Sequence, residues 1–551
     1  MGKAAAEHPD FDFAGVEPWQ AQDVKKFINQ RIRSVAMRNR RIPFTKVLGA
    51  FAFTAMAAIA APDHAHAQKL KGTTLRVAVV ADMTNFDPMQ FSLVNFHLIK
   101  NLYDSLIEYT PDGKAVPSLA TEWSIGENNK SVRVTLRKGV LFHSGAPLTS
   151  ADVAATLKKA SDPAKGKNVY ATMGIVQDWT TPDEQTIVIN FKAPVPERQI
   201  LDLLQFTMPI EAAGIDTVET KPAGTGAYML AGRAVGQSVT LKANPKYWRE
   251  GEPISQEIRF TVFSDDAAAS AALESGAADI IYGGGARSAV RLRDSGFTVT
   301  RGPGPLVQVF RINTTRPPFN NEKFRQAFNY LMDREGILRV GYAGLGEPVA
   351  LPWAPASPAF DAAYLKEFAY NPEKAKALLA ESGLSKEQMS NWKLLVYGTD
   401  QPTVVISQIV QSTLAEVGID VKLDVLEGSE YVKAQLAGEY QATFGGVGNV
   451  QKFPSRVATN SIYRTKDNPV LKEPHPFPDY LAAIERVNTT YGSQEEVKAA
   501  YDNLNRVLVK SAFAIPTNSY DVGLIVSSPK LDGFTPDIDN LFVARTIGLK
   551  K

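Results

Sequence analysis

The chain has 551 residues, of which 44% are apolar and 21% are charged, a balance typical of a globular protein with two or three domains. It contains no cysteine, which excludes disulfide frameworks, zinc–thiolate sites and cysteine nucleophiles. The net charge of +2 arises in residues 1–67, which hold nine Lys/Arg and six Asp/Glu. The remainder is close to neutral, and this argues against a nucleic-acid partner.

The N-terminal part of the chain predicts an export signal. An apolar segment, Val47–Ala61, precedes the small-x-small pattern Ala65-His66-Ala67, so cleavage is expected before Gln68. Four basic residues stand ahead of the apolar segment: Arg38, Arg40, Arg41 and Lys46. The apolar segment has 15 residues, whereas a helix needs about 20 to span a bilayer, and this disfavours a retained membrane anchor.

We therefore assign residues 1–67 to an N-terminal extension and signal peptide. Met37 lies directly before the basic stretch, which favours it over Met1 as the translation start, although the sequence leaves this choice open. Arg40-Arg41 is a weak match to a twin-arginine signal, and the export route stays open too.

The first elements of the mature chain predict a mixed α/β structure. A strand is expected over residues 74–80, and leucines at 98, 102 and 106 lie on one helical face. Val132, Val134 and Leu136 alternate with polar residues, as in a half-buried strand. Thr149 is then expected to begin a helix, with Asp152 completing a capping box.

A second α/β region begins near residue 308. One long helix is predicted over Glu322–Val340, and Asn371-Pro372 is a strong helix start. Residues 392–397, 404–417 and 420–425 predict a strand, a helix and a strand, hence a parallel pair. A helix over 494–509 and a strand from Ala514, expected to return to the first body, complete the pattern.

Three sequence blocks carry a resemblance to a known family. The string LRKGVLFHSGAPLTSADV (136–153) closely resembles the signature of the family 5 extracytoplasmic solute-binding proteins, the dipeptide- and oligopeptide-binding type of ABC importers. GTGAY within 221–230 and NPKYW at 244–248 are similar to two further blocks of that family. The resemblance covers nearly all of residues 74–551.

The resemblance implies an α/β periplasmic binding protein fold of type II, cluster C, with two lobes and an extra subdomain inserted in lobe I. Lobe I is expected over 68–307, with the subdomain at 112–221, and lobe II over 308–514. Residues 515–551 are expected to return to lobe I. Two strands, near 307–310 and 514–520, are expected to cross between the lobes.

No motif predicts catalysis or a cofactor. The mature chain has three histidines, His97, His143 and His475, and they lack metal-ligand spacing. Nucleophile-elbow, phosphate-loop and zinc-protease motifs are missing from the sequence. We expect no metal and no cofactor, and we expect that the chain is not an enzyme.

The function implied by the resemblance is capture of a peptide-like or other small polar solute in an interlobe cleft, in the periplasm, for delivery to permease subunits. A monomer is expected. The ligand's identity stays open: an opine, a carbohydrate or an anionic small molecule is the alternative to a peptide. A secreted hydrolase using distant carboxylates and a chaperone-like binder are the rivals from other classes.

The expected cleft residues include the loop 444–456, FGGVGNVQKFPSR. In peptide-binding members the similar loop carries an aspartate that pairs with the ligand's α-amine, whereas this chain has Asn449. We therefore expect discrimination against free peptide N-termini, unless another acid such as Glu427 or Glu430 supplies the charge. The full set of expected ligand-binding residues is Asn95, Gln308, Phe310, Val447, Asn449, Lys452, Asn518 and Tyr520.

Overall fold

The computed structural model describes residues 73–90, 95–167, 169–302, 306–355, 357–448, 454, 457, 460–464, 468–471, 477–521, 524–534 and 542–549. The predicted signal peptide lies outside these residues. In the part of the chain so described, no helix combines the length and the apolar character that crossing a bilayer requires.

Residues 73–302 contain twelve described strands and five described α-helices. The strands are β1 (Thr74–Val79), β2 (Ile107–Tyr109), β3 (Ala115–Pro117), β4 (Ala120–Ile125), β5 (Ser131–Leu136), β6 (Val176–Asp183), β7 (Thr186–Phe191), β8 (Tyr228–Ala234), β9 (Ser238–Ala243), β10 (Glu257–Val262), β11 (Ile280–Tyr282) and β12 (Thr298–Thr300). The helices are α1 (Phe96–Leu102), α2 (Ser150–Ala160), α3 (Glu197–Phe206), α4 (Asp266–Glu274) and α5 (Ala286–Asp294).

The described part of residues 306–549 continues the alternation of strands and helices. The strands are β13 (Leu306–Ile312), β14 (Glu347–Pro348), β15 (Trp392–Tyr397), β16 (Val421–Leu426), β17 (Ala442–Val447), β18 (Ala514–Tyr520), β19 (Ile525–Ser527), β20 (Leu531–Asp532) and β21 (Gly548–Leu549). The helices are α6 (Glu322–Leu331), α7 (Arg334–Gly341), α8 (Ala363–Glu367), α9 (Pro372–Glu381), α10 (Lys386–Met389), α11 (Gln401–Glu416), α12 (Gly428–Ala437), α13 (Pro478–Thr489) and α14 (Gln494–Ser511).

Two large sheets define two lobes. The first sheet has the strand order β12-β19-β11-β1-β10-β9-β8, and the second has the order β14-β18-β13-β17-β15-β16. In the first, β1 runs parallel to both β10 and β11. In the second, β15 runs parallel to β16 and β17, which confirms the predicted parallel pair. We refer to the two sheets with their packed helices as the first and second lobes.

A separate four-stranded antiparallel sheet, β4-β5-β7-β6, lies within the predicted inserted region. The predicted strand of alternating valines is β5, whose apolar residues are buried and whose polar ones are more exposed. The helix that follows begins as expected: the backbone N–H and the hydroxyl of Thr149 both donate to Asp152 Oδ2, at 3.0 and 2.8 Å. One apolar core joins this sheet to one face of the first sheet.

The GTG turn of the 221–230 block packs against the end of α1. A Cβ on Gly224 would lie 2.2 Å from the carbonyl oxygen of Leu102, and a Cβ on Gly226 would lie 2.4 Å from its carbonyl carbon. Because backbone atoms cannot yield as a flexible side chain can, only glycine allows this approach. The turn is therefore a packing element of the first lobe.

The helix predicted over Glu322–Val340 is wrong in one respect, because two helices, α6 and α7, replace it. The break lies at Met332-Asp333, where the Asp333 side chain accepts a hydrogen bond from the N–H of Gly336 and caps α7. Arg334 is buried and donates to four backbone carbonyl oxygens, among them those of Val349 and Pro516, each at 3.0 Å. These long-range partners fix the break, so local periodicity could not reveal it.

The chain returns to the first lobe later than the sequence suggests. The strand from Ala514 is β18, which pairs with β13 and β14 inside the second sheet. The first sheet is joined again at β19, which pairs antiparallel with β11 and β12. Both predicted crossing strands are therefore neighbours in the second lobe.

Candidate functional site

The carboxyl ends of the parallel strands in both sheets lie where the chain passes between the lobes. In the first sheet, Tyr282 ends β11 and pairs with Ile525, which also pairs with Thr300 just before the first crossing. In the second, Val447 ends β17 and pairs with Val307, just after that crossing. Since ligands of open α/β sheets bind outside the carboxyl ends of the strands, the space between these two edges is the candidate cleft.

The two segments that cross between the lobes are tied to each other. Arg301 Nε donates to Asp521 Oδ2 at 2.6 Å, and the Asp521 side chain is fully buried. Burial raises the pKa of the Asp521 carboxyl, while the hydrogen bond from Arg301 opposes that rise. A charge pair with one desolvated partner holds its geometry well, so the crossing segments form one braced hinge.

A loop of the second lobe also reaches the first lobe beside the hinge. Leu345, which follows α7, packs in the same apolar cluster as Leu524 and Val526. Its neighbour Gly346 has a φ of +139°, and a Cβ there would lie 2.1 Å from the carbonyl oxygen of Ser519. The packing of Leu345 on Leu524 and Val526 joins the two lobes at one side of the hinge.

A group of aromatic residues and one carboxylate occupies the carboxyl edge of the second sheet. We call it the edge cluster: Tyr342, Tyr397, Asp400, Tyr431 and Tyr520. The rings of Tyr342 and Tyr520 lie 5.0 Å apart, and those of Tyr397 and Tyr431 stack at 4.7 Å. Burial raises the pKa of Tyr342, Tyr431 and Tyr520, and the charge of Asp400 raises each further. Asp400 follows β15, and its backbone N–H donates to the carbonyl oxygen of Tyr397 at 3.1 Å.

The expected cleft residues of the second lobe fall into two groups. Gln308 and Asn518 are paired across β13 and β18 and are buried, and Tyr520 is half-buried in the edge cluster. Phe310 lies deeper, stacked on Phe328 with ring centres 5.5 Å apart, and Val447 packs in the core of the opposite face. Phe310 and Val447 are therefore core side chains on opposite faces of the second sheet, and neither is exposed at the candidate cleft.

The remaining expected residues lie elsewhere. Asn95 belongs to the first lobe, where its amide nitrogen donates to the carbonyl oxygens of Asn85 at 3.1 Å and of Gln90 at 3.3 Å and so ties a loop together. Asn449 and Lys452 lie outside the described residues.

The motif residues of the first lobe build a buried polar network around Asp104. This carboxylate accepts hydrogen bonds from Thr225 at 3.0 Å, from Tyr247 at 2.9 Å and from the Trp248 indole at 2.9 Å. Burial raises the pKa of Asp104, and the hydrogen bond from Trp248 opposes that rise. The GTGAY and NPKYW blocks therefore meet at one acid and stabilise the fold.

A second, half-buried acid, Glu108, continues the network. It accepts from Arg249 at 2.8 Å and from Arg545 at 3.0 Å, so the C-terminal segment is joined to β2. Burial alone would raise the pKa of Glu108. The positive charges of Arg545 and Arg249 have the larger combined effect, so the pKa of Glu108 lies below its ordinary value.

Sequence reasoning missed Asp400 and the Arg301–Asp521 pair. The pattern Asp400-Gln401-Pro402 is a helix-start signal, an N-cap followed by proline in the first turn, and it places the start of α11 at Gln401 instead of Val404. The ion pair joins positions 220 residues apart, which no local pattern predicts.

Within the described ranges, no group of three or more His, Asp or Glu side chains is arranged to hold a metal ion. The site is instead a meeting of strand edges with aromatic and polar side chains, a composition suited to enclosing a small molecule.

Comparison with known proteins identifies relatives of this architecture. The profile described as "Bacterial extracellular solute-binding proteins, family 5 Middle" matches residues 114–468. The glutathione-binding protein GsiB of Salmonella choleraesuis is 26% identical over 379 residues, which cover 67% of this chain and 72% of that protein. Its Escherichia coli O1:K1 counterpart is 27% identical over 376 residues, with the same two coverages.

Solved structures show the same fold. The substrate-binding protein CtaP from Listeria monocytogenes matches with a TM-score of 0.78 at 20% identity, over 87% of this chain and 100% of its own. The binding protein AgaA from A. tumefaciens, in complex with agropinic acid, matches with a TM-score of 0.71 at 24% identity, over 87% of this chain and 99% of its own. With its two lobes, braced crossing segments and inserted sheet, the chain belongs to family 5 of the bacterial extracellular solute-binding proteins.

Proposed function

We propose that this chain is the periplasmic capture subunit of an ABC importer and that it encloses a peptide-like or other small polar solute between its lobes. The observation that carries the proposal is the convergence of both carboxyl edges on a hinge braced by Arg301 and Asp521. A cleft between two hinged bodies can close around a ligand, and closure changes the surface that a permease meets. The protein works as a non-enzymatic monomer without a nucleic-acid partner.

The residues that we propose to line the cleft are grouped by the lobe to which they belong. In the second lobe it consists of Gln308, Asn518 and Tyr520 with the loop that carries Asn449 and Lys452, supported from the core by Phe310 and Val447. In the first lobe we assign Asn95 to the lining; its side chain ties the loop of Asn85 and Gln90 together. The relatives differ in what they hold, glutathione for one and agropinic acid for another, so the family supports peptide-like and opine-like solutes alike.

Export follows from the N-terminal pattern. The mature protein should begin at Gln68, because Ala65-His66-Ala67 has the small residues that signal peptidase requires. N-terminal sequencing of the periplasmic protein checks this. A mature chain that keeps residues 47–61 would contradict it.

Native mass spectrometry of the protein purified from its host tests the proposed function. Tight binders retain their ligand, so we expect the folded chain with one additional discrete small mass, which collision releases intact. A protein that carries no small molecule, binds none from a solute library and turns over a library compound would be a hydrolase instead. A preference for unfolded protein over small solutes would favour the chaperone-like alternative.

A further inference from the structure

The loop between α7 and β14 is tied to the second lobe at both of its ends. At the start of the loop, the N–H of Leu345 donates to the carbonyl oxygen of Tyr342 at 2.9 Å, and the Tyr342 ring lies 5.0 Å from that of Tyr520. At its end, the N–H of Glu347 donates to the hydroxyl of Ser519 at 2.9 Å. Since Ser519 and Tyr520 belong to β18, the loop moves together with the second sheet.

The backbone of this loop reverses through three residues with positive φ. The φ angles are +53° at Ala343, +78° at Gly344 and +139° at Gly346. A residue with a side chain, such as Ala343, takes up the left-handed region only where its surroundings hold it there. The contacts with the second lobe therefore set the conformation of the loop, and Leu345 lies between these residues.

The side chain of Leu345 is buried in the first lobe. It is only 8% exposed, and it packs in the apolar cluster that contains Leu524 and Val526. All other described members of that cluster belong to the first lobe and lie on the first sheet, on helices α4 and α5 or beside them. One apolar side chain of the second lobe therefore sits in the core of the first.

This contact differs in kind from the braced hinge. The Arg301–Asp521 pair is charged, and a hydrogen bond weakens steeply when its angle changes. An apolar contact has no preferred direction and depends on the area removed from water. Leu345 can therefore turn within its cluster and stay buried while the lobes rotate.

We propose that Leu345 is a second pivot, which together with the Arg301–Asp521 hinge restricts the lobes to one rotation that opens and closes the cleft. Two bodies joined at one place can both bend and twist, whereas two bodies joined at two places rotate only about the line through both. The pivot keeps the two carboxyl edges facing each other in the solute-free protein. The inference concerns motion before binding, so it does not depend on which solute is captured.

The test measures the distance between the lobes in the solute-free protein. The chain has no cysteine, so two introduced cysteines take spin labels at defined positions. Lys242→Cys on β9 and Lys422→Cys on β16 place one label on each lobe, at exposed positions. Double electron–electron resonance then gives the distribution of label distances in this doubly labelled protein, which serves as the reference, and in variants that also carry Leu345→Ala, Leu345→Met or Leu351→Ala.

Leu351 is the matched control for the truncation of Leu345. It is a leucine of the same lobe, 3% exposed, and all described members of its apolar cluster belong to the second lobe. Leu351→Ala therefore weakens the second lobe without touching the first. Circular dichroism verifies that each variant is folded, and Leu345→Val replaces Leu345→Ala if the latter does not fold.

We expect the distance distribution of Leu345→Ala to be at least about twice as broad as that of the reference, because conformations that the pivot excludes become populated. Leu345→Val should broaden it less, in the same direction. Leu345→Met should keep the narrow distribution, since the flexible thioether fills the same space. Leu351→Ala should keep it as well.

Three results would overturn the inference. They are an unchanged distribution in the truncated Leu345 variant, equal broadening in Leu351→Ala, and broadening in Leu345→Met as large as in Leu345→Ala. Each of them would leave the proposed capture of a solute standing, because that function is tested separately by the mass of the bound solute.

Discussion

Asp104 lies at the point where the sequence blocks of the first lobe meet, fully enclosed by Thr225, Tyr247 and Trp248. A buried carboxylate retains its place in a fold only when hydrogen bonds replace the water it has lost. The motif residues at 221–230 and 244–248 are therefore explained by one structural need, the solvation of this acid. These hydrogen bonds stabilise the first lobe.

Replacing Trp248 by Phe should therefore destabilise the protein. The variant keeps the aromatic ring but removes the indole N–H that lies 2.9 Å from Asp104 Oδ2. Losing one hydrogen bond to a buried charged group costs about 1.5–3 kcal/mol of unfolding free energy. Urea denaturation followed by circular dichroism measures the loss.

Trp123→Phe is the matched control for this change, because Trp123 is a partly buried tryptophan of the same core. It should cost less than Trp248→Phe. Equal losses in both variants would mean that ring packing, rather than the bond to Asp104, determines the effect.

His143 should make the stability of the protein depend on pH. Its Nε2 lies 3.0 Å from the carbonyl oxygen of Gly226, and burial lowers the pKa of the imidazole from 6.5 to about 4. Between these two values the unfolded chain binds a proton that the folded chain does not. Stability is therefore fully present above pH 6.5 and falls as the pH decreases toward 4, by at most about 3 kcal/mol.

His143→Gln removes the titration and keeps a side-chain donor, so its stability should fall less over the same interval. Unfolding free energies at about pH 7 and about pH 4.5 check the difference. Parallel pH dependence in both proteins would show that other groups cause the acid sensitivity.

Elements whose boundaries are set by neighbouring residues could be predicted from the sequence. The strand 392–397 and the capping box of Thr149 with Asp152 are confirmed at the predicted positions, because alternation and capping act over a few residues. The break between α6 and α7 could not be predicted, since Arg334 finds its acceptors in distant segments. The candidate site could not be predicted for the same reason. The sequence pattern of β13 identifies a strand, but it does not show which end of that strand lies at the cleft.

The GTG turn gives a prediction at this scale. Gly224→Ala should destabilise the first lobe by about 1–3 kcal/mol or more, because the new methyl group would meet the Leu102 carbonyl oxygen at 2.2 Å. Gly232→Ala in β8 is the control, since nothing lies within 4 Å of its Cβ position. Thermal unfolding should separate the two variants, and similar melting temperatures would argue that the α1 end moves aside.

At the scale of the whole molecule, the braced hinge predicts that the two lobes close around a bound solute. A solute that contacts both lobes should reduce the radius of gyration in small-angle scattering, because it stabilises the closed state. At a ligand concentration 100 times Kd it should also add about 2.7 kcal/mol to the stability of the folded state. An unchanged radius with a confirmed ligand would remove the main support for closure.

The position of β19 has a consequence for how the chain acquires its structure. Because β19 lies between β11 and β12, the strand at 298–300 can pair into the sheet only after residues 525–527 have been synthesised. The paired strands are separated in sequence by the whole second lobe, and contacts between such distant residues raise the contact order and slow folding. A nascent chain that has reached only the second lobe carries an open β11 edge, to which other chains can pair. We therefore expect that the late steps of synthesis, rather than the early ones, are when this protein is most prone to aggregate.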